Sequence, residues 1–149
     1  MKFICDEMLG TLAKWLRILG YDTKYVKNID DDKIIEIARR EERILITRDK
    51  LLSRKADRSI YLENKNLEKQ LKKVIEELNL KINKNKILTR CIICNEIVNK
   101  IEKEKIRGRV PEHVFNEHEN FWICPKCHRI YWIGSHWNNM EEKLKKIKK

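Results

Sequence analysis

Two Cys-x-x-Cys pairs constrain this 149-residue chain more than any other feature of its sequence. The first pair is Cys91 and Cys94, and the second is Cys124 and Cys127. Two residues between the sulfurs allow both thiolates of a pair to reach one ion at about 2.3 Å, and two pairs complete a tetrahedral shell. The spacing therefore predicts one structural zinc ion held by four cysteines.

The alternatives to a four-cysteine zinc site are a redox pair and mixed ligation. A redox pair normally needs only one Cys-x-x-Cys motif. Histidines could replace cysteines as ligands, although four thiolates already complete the shell. Twenty-nine residues separate Cys94 from Cys124, more than in a compact zinc ribbon, so we expect residues 101–120 to form an insertion. The histidines are His113, His118, His128 and His136.

The first part of the chain alternates between strand-like and helix-like patterns. Such alternation predicts an α/β fold with a parallel sheet flanked by helices, and its continuous apolar runs suit strands covered on both faces. A polar stretch at residues 83–86 resembles a linker, so we predict a first domain over residues 1–82 and a zinc ribbon with a basic tail over residues 83–149. The predicted strands are residues 2–5, 22–26, 44–47 and 59–62. The predicted helices are residues 8–19, a helix after the polar turn 28–32 with its apolar face at residues 34–38, and residues 67–78.

The charge balance bears on partners and location. The formal net charge is +11, and such an excess favours polyanionic partners, nucleic acid first, although a soluble lysine-rich surface is the alternative. No apolar run approaches the roughly 20 residues of a membrane span, and the start of the chain lacks a signal-peptide pattern, so we expect a cytoplasmic protein without a membrane partner. Glycine-rich phosphate-binding motifs are absent from the sequence, so no nucleotide cofactor is expected.

Aspartates follow the predicted strands. Asp6 follows the first strand, Asp49 follows the third, and residues 30–32 after the second are all aspartate. The carboxyl ends of neighbouring parallel strands meet at one edge, so these carboxylates should converge. Clustered carboxylates attract a hard cation such as Mg²⁺ or Mn²⁺, which can polarise a phosphoryl oxygen and activate water. The pattern therefore indicates hydrolysis of a phosphodiester.

Each aspartate also has a purely structural interpretation. The run at residues 30–32 could cap the next helix, and Asp49 could close a strand–helix turn. Asp6 is harder to explain in this way, because a carboxylate directly after a buried strand is costly without a partner. The basic side chains expected near the same edge, where they could hold phosphates, are Lys14, Arg17, Arg48 and Arg54.

Four stretches of the sequence resemble a known family. They are residues 3–22, residues 31–38, residues 44–49, and residues 121–137 with the ending Gly-Ser-His-Trp. Together they resemble the PIN-like ribonuclease family named after the C-terminal domain of the exonuclease Mut-seven, the Mut7-C type, over about residues 1–140.

The resemblance implies a PIN-like domain followed by a zinc ribbon, and a ribonuclease that depends on Mg²⁺ or Mn²⁺. Asp6, Asp31 and Asp49 occupy the family's acidic positions. Sites of the PIN type commonly use four acidic residues, and the candidates for the fourth are Glu7, Asp30 and Asp57.

Two functions are compatible with these features. In the first, the aspartates catalyse RNA cleavage and the ribbon adds affinity for RNA, with His136 and Trp137 as the preferred RNA-binding residues. In the second, the chain is a non-catalytic RNA- or ribosome-associated module with a vestigial acidic site. The remaining aromatic residues of the ribbon, Trp122, Tyr131 and Trp132, are expected to pack mainly in its core.

Overall fold

A four-stranded parallel sheet organises the first part of the molecule. The structure is a computed structural model that describes residues 1–148, except for the side chains of residues 136, 137 and 148. The strand order is β2-β1-β3-β4, so β1 and β3 are the central strands. This arrangement confirms the predicted α/β class. The strands are β1 (Lys2–Cys5), β2 (Asp22–Tyr25), β3 (Ile44–Thr47) and β4 (Ser59–Tyr61).

Helices cover both faces of this sheet, because side chains of a strand alternate between its faces. On one face Phe3 and Ile46 pack against the helices α1 and α4. On the other face Ile4 and Leu45 pack against α2 and α3. The helices are α1 (Gly10–Ile18), α2 (Asp31–Arg40), α3 (Lys50–Lys55) and α4 (Leu67–Leu78).

The end of α1 is tied to the segment that leads into the second unit. Gly20 has φ +93°, a conformation that favours glycine, and a Cβ atom there would collide with the backbone of Lys86. The amide of Leu88 donates to the carbonyl of Ile18 at 2.8 Å. The predicted linker therefore runs against the sheet domain, and Lys84–Lys86 forms a single 3₁₀ turn.

The second unit contains a three-stranded antiparallel sheet in the order β5-β6-β7. Its strands are β5 (Asn99–Ile101), β6 (Phe121–Ile123) and β7 (Ile130–Tyr131). The segment between β5 and β6 contains the helix α5 (Glu112–Glu117). A small core of its own holds this segment against β6, and it consists of Ile106, Val114, Phe115 and Phe121.

The last helix, α6 (Ser135–Lys148), contacts α4 of the first unit. Leu144 and Ile147 are buried and belong to the same core cluster as Leu71 and Val74. The basic end of the chain is therefore helical through residue 148 and contributes apolar side chains to the sheet domain.

Candidate functional site

Three aspartates lie at the carboxyl edge of the parallel sheet. Asp6 follows β1 and Asp49 follows β3, and these two strands pair directly, with Cys5 opposite Ile46. Asp31 is the first residue of α2, which follows the other neighbour of β1. Both Asp49 and Asp31 are near enough to raise the pKa of Asp6 electrostatically. The topology thus gathers carboxylates that are widely separated in sequence.

Asp6 is the buried member of this group. It is 9% exposed, and its Oδ2 accepts a hydrogen bond from Thr47 Oγ1, whereas its Oδ1 is buried and has no partner among the described atoms. Burial raises the pKa of Asp6, hydrogen bonds from the Thr47 side chain and the Met8 backbone oppose this effect, and the charges of Asp49 and Asp31 raise the pKa further. A cation bound at Oδ1 would relieve both the desolvation and the repulsion.

Thr47 connects the two central strand ends. While its hydroxyl donates to Asp6, its oxygen accepts from the backbone amide of Asp49 at 2.9 Å. Asp49 in turn caps α3, because its Oδ1 accepts from the amide of Leu52 at 3.1 Å. Asp49 therefore closes the turn between β3 and α3, as considered from the sequence. It is nevertheless exposed and close enough to Asp6 to raise the pKa of that carboxyl.

The aspartate run at the start of α2 is only loosely involved in capping. Asp30 is the N-cap residue, but its side chain makes no capping hydrogen bond. Asp31 and Asp32 are exposed in the first turn, where negative side chains favour the positive end of the helix dipole. Among the described contacts, the Asp31 carboxylate therefore makes no capping hydrogen bond.

The three aspartates do not form a closed ligand cage. Among the side chains that the structure describes, only the four cysteines place three or more candidate ligand atoms within 4.8 Å of one another. Mg²⁺ commonly binds through one or two carboxylates, several waters and substrate phosphates, so an open arrangement suits it. The buried, unpartnered Asp6 Oδ1 and the oxygen-only donors fit such an ion.

The basic residues predicted for this edge divide into two groups. Lys14 on α1 and Arg54 on α3 are exposed, and Arg48 lies between β3 and Asp49, half-buried with an Nε that has no described partner. Arg17 is buried and donates from Nε to the carbonyl of Thr23 at 2.8 Å. Its Nη1 donates to two carbonyls of the first cysteine turn. These hydrogen bonds within the protein therefore explain the position of the Arg17 side chain without a phosphate ligand.

Two further acidic residues clarify the boundary of the site. Asp57 precedes β4, at the amino edge of the sheet, and its carboxylate pairs with Arg39 at 3.1 Å, so it lies away from Asp6. Glu63 follows β4 and lies on the carboxyl edge, and its carbonyl is 3.5 Å from Arg48 Nη2. Sequence reasoning did not consider Glu63, although its position after a strand resembles that of Asp49.

The four cysteines converge as their spacing predicted. Their sulfur atoms all lie within 4.8 Å of one another, and Cys91 Sγ is 3.7 Å from Cys127 Sγ. Ligands at about 2.3 Å from one ion in a tetrahedral shell are about 3.8 Å apart. No disulfide forms among them. These cysteines can hold a metal ion such as zinc, and the remaining one, Cys5, is a buried core residue of β1.

The two cysteine turns have the same backbone geometry. In each, the amide of the second cysteine approaches the first sulfur, at 3.4 Å for Cys94 and 3.5 Å for Cys127. In each, the next residue has positive φ: 67° for Asn95 and 64° for His128. The amides of these residues donate to the carbonyls of the first cysteines, both at 2.9 Å. His128 therefore completes the second cysteine turn through its backbone.

The cysteine cluster has polar neighbours that sequence reasoning did not identify. The Tyr131 hydroxyl is 3.0 Å from Cys91 Sγ and accepts from the amide of Ile92 at 3.3 Å. Burial acts to raise the pKa of Cys127, but hydrogen bonds from Arg129 outweigh it and bring the pKa to about 6. Thiolates are the metal-binding form of cysteine, so Arg129 favours that form.

Trp122, Tyr131 and Trp132 of the ribbon are half-buried. Trp132 packs against Phe121 with ring centroids 6.4 Å apart, and Trp122 and Tyr131 pack against the cysteines. Core packing thus accounts for a large part of each ring, as expected. The side chains of His136 and Trp137, the preferred RNA-binding residues, lie outside the described part of the structure.

Comparison with known proteins identifies the family. The family model for the Mut7-C RNAse domain matches residues 1–144. The chain belongs to the Mut7-C RNAse domain family. This membership confirms the resemblance seen in the sequence and supports a nuclease-type function.

A human protein, Exonuclease mut-7 homolog, is 31% identical to the chain over 101 residues. That match covers 63% of the chain but only 12% of the human protein, so the chain spans a small part of its length. No solved structure matches the chain. Across the described residues, no helix is both long enough and apolar enough to cross a membrane.

Proposed function

We propose that this Mut7-C domain is a ribonuclease that hydrolyses RNA phosphodiester bonds with the help of Mg²⁺ or Mn²⁺ at Asp6, Asp31 and Asp49. The observation that supports the proposal most strongly is the carboxylate of Asp6. Its Oδ1 is buried without a described partner, beside two other negative charges, which is unfavourable for an ionised carboxylate and would be relieved by a bound cation. Membership of an RNAse family supports RNA as the substrate.

The protein's own residues would divide the work of such a reaction. Thr47 fixes one oxygen of Asp6 and leaves the other for the cation. Asp49 and Asp31 supply charge at an exposed edge that a phosphate can approach. Arg48, Arg54 and Lys14 would hold the phosphates of the strand through charge-assisted hydrogen bonds. When bound, the divalent cation would polarise the phosphoryl oxygen and neutralise developing charge.

We further propose that the four cysteines hold one structural zinc ion and that residues 83–149 form a ribbon unit beside the catalytic unit of residues 1–82. The sulfur separation supports zinc, because it matches a tetrahedral shell. Such a shell leaves no open position for substrate, so this ion would stabilise the fold rather than catalyse. The proposal assigns further RNA affinity to His136 and Trp137 of the ribbon.

The experiment that tests the proposed function is an RNA cleavage assay with added Mg²⁺ or Mn²⁺ on single-stranded and structured RNA. We expect Asp6→Asn and Asp49→Asn each to lower the cleavage rate by about a hundredfold or more, since several kcal/mol of metal stabilisation would be lost. In Asp49→Asn the amide oxygen can still cap α3, so folding is preserved.

The matched control is Asp57→Asn, which removes one negative charge at the opposite edge of the sheet. It should cut RNA at nearly the wild-type rate. Cleavage that persists in both Asp6→Asn and Asp49→Asn would show that the active site is elsewhere. A wild-type protein that binds RNA but never cuts it, with any of these metals, would instead support the binding-module alternative.

A further inference from the structure

A groove lies between the sheet domain and the first cysteine turn. Its volume is about 360 Å³, and it is lined by Lys14 of α1, by Tyr25 and Lys27 at the end of β2, and by Ile92 and Ile93 of the turn. It is formed jointly by the sheet domain and the ribbon, and nothing in the sequence analysis anticipated it.

This groove adjoins Asp6. Tyr25 pairs with Cys5 across the parallel strands, and the amide of Val26 donates to the carbonyl of Cys5 at 3.1 Å. The Tyr25 hydroxyl also donates to the carbonyl of Glu7 at 2.6 Å. The residues on either side of Asp6 are thus both bound to the strand end that lines the groove. The groove is therefore connected to the backbone that flanks Asp6.

The groove is positively charged. Lys14 and Lys27 are both exposed, and neither makes an ion pair among the described residues. The Nζ atom of Lys27 lies 5.9 Å from the centre of the Tyr25 ring. Two unpaired ammonium groups beside an aromatic ring suit a phosphate backbone with an adjacent base, because phosphates attract the charges and the base stacks on the ring.

The far wall of the groove depends on the cysteine turn. Arg17 Nη1 donates to the carbonyl of Ile92 at 2.8 Å and to that of Ile93 at 3.2 Å, which holds the turn against the sheet domain. Ile93 is 45% exposed and lines the groove. The turn therefore contributes apolar side chains to the groove that Tyr25 also lines, and Arg17 helps to set their position.

We propose that this groove guides a single strand of RNA to the aspartate edge, with phosphates on Lys14 and Lys27 and a base between Tyr25 and Ile93. The groove has the volume of a small-ligand site, which suits one unpaired nucleotide, whereas double-stranded RNA is recognised across a broad surface. This inference rests on the proposed function and adds a second role for the cysteine cluster, which is to shape the path of the substrate.

The first test measures binding of a fluorescein-labelled single-stranded RNA by anisotropy, without added divalent metal. We expect Lys14→Ala/Lys27→Ala to raise Kd about tenfold, or about 1.4 kcal/mol. The slope of log K against log salt should fall by about 1.4, since each phosphate contact on a single strand contributes about 0.7.

The matched control is Lys81→Ala/Lys86→Ala. These two exposed lysines line another basic cavity, of about 440 Å³, at the amino end of β1. The control removes the same charge at the opposite edge, so we expect its Kd to change by less than about twofold. An equal or larger effect of the control pair would overturn the groove assignment, as would a wild-type protein with no measurable affinity for this RNA.

The second test places a carboxylate on the wall. Ile93→Glu should weaken binding several-fold, whereas Ile133→Glu should not. Ile133 is 50% exposed and lies on the aromatic face of the ribbon, which also includes Trp122, Tyr131 and Trp132. Metal content and hydrogen exchange equal to those of the wild type would show that both variants fold. A larger loss in Ile133→Glu would assign the strand to the aromatic face and overturn the proposal.

These tests distinguish the groove proposal from the proposed ribonuclease function. If Lys14→Ala/Lys27→Ala changes neither Kd nor cleavage while Asp6→Asn abolishes cutting, the groove proposal is wrong and the ribonuclease assignment stands. If the lysine pair weakens binding but the wild type never cuts, the groove stands and the ribonuclease assignment fails.

Discussion

The cysteine cluster and the aspartate edge differ in how complete they are without an ion. The four sulfurs already have a spacing that fits a tetrahedral shell, with cysteine amides and the Tyr131 hydroxyl oriented toward them. At the aspartate edge only Asp6 is buried, and Asp31 and Asp49 are exposed and farther apart. A preformed shell suits a resident ion, whereas an open carboxylate group suits an ion that arrives with substrate phosphates.

The two regions also differ in what assembles them. Each cysteine pair is brought together by a local turn of the backbone, so its geometry is encoded within a few residues. The aspartates converge only when the strands β1 and β3 pair and α2 follows β2. Loss of metal should therefore affect folding of the ribbon and leave the sheet domain folded.

The largest expected effect comes from breaking the cysteine cluster. Structural zinc contributes about 10–16 kcal/mol of apparent binding free energy in zinc-finger peptides. Cys124→Ser should therefore lose the ion and expose residues 91–132 to hydrogen exchange, while β1 and β3 stay protected. Metal content and hydrogen–deuterium exchange of the intact protein measure both.

The control for this experiment is Cys5→Ala. Cys5 is fully buried in β1 and takes no part in the cluster. The Cys5→Ala protein should keep one zinc per chain, and its free energy of unfolding should fall by only about 0.5–3 kcal/mol. A Cys124→Ser protein with normal zinc content and normal protection would contradict the account of the ribbon.

A smaller effect is expected at the aspartate edge, where the cost of burying charge can be measured. Burial, then the charges of Asp49 and Asp31, hold the pKa of Asp6 above its ordinary value of 3.8. Between these two pKa values the folded state retains a proton that the unfolded state has released. The free energy of unfolding therefore falls as pH rises through that window, and the full cost is present above it.

Asp6→Asn should remove this cost and keep an acceptor for Thr47 Oγ1. Without divalent metal at neutral pH, urea unfolding should show the variant to be more stable than the wild type. Mn²⁺ at a hundred times its Kd should stabilise the wild type by about 2.7 kcal/mol and leave the variant unchanged. Equal stabilisation of both proteins would mean that Mn²⁺ does not bind at Asp6.

The smallest effects distinguish the two cysteine turns. Asn95 Oδ1 accepts from the amide of Thr23 at 3.0 Å, and its Nδ2 donates to Asp22 at 2.7 Å, whereas the His128 side chain is exposed. His128→Gly should raise stability by up to about 1 kcal/mol, because glycine adopts positive φ without strain. Asn95→Gly should lower it by about 1–3 kcal/mol through lost hydrogen bonds. If both variants changed the free energy of unfolding in the same direction, the proposed role of Asn95 in holding the first cysteine turn against β2 would be contradicted.

Much of the fold could be predicted from the sequence because its strands are short, continuous apolar runs. β1, β3 and α4 have the predicted bounds. The helix α3 was not predicted, since six residues are too few to show a helical period. The helix predicted to begin near residue 8 instead starts as the 3₁₀ turn Glu7–Leu9, followed by α1.

The candidate sites were predictable to different degrees. Cysteine spacing alone indicated the cluster, because each pair is local. The roles of Thr47, Arg17 and Asn95 could not be read from the sequence, because each depends on a contact between distant segments. Asn95 and His128 show one usable signal, which is that the residue after each Cys-x-x-Cys pair adopts positive φ. The groove beside Asp6 required the docking of the two units.

The most direct test of two chemically different metal sites is a crystal of the protein grown with Mn²⁺, with anomalous differences measured at the zinc and manganese edges. We expect a zinc peak among Cys91, Cys94, Cys124 and Cys127, and a manganese peak at Asp6 Oδ1 near Asp49 and Asp31. Manganese absent from the aspartates, or zinc absent from the cysteines, would contradict the assignment of two metal sites.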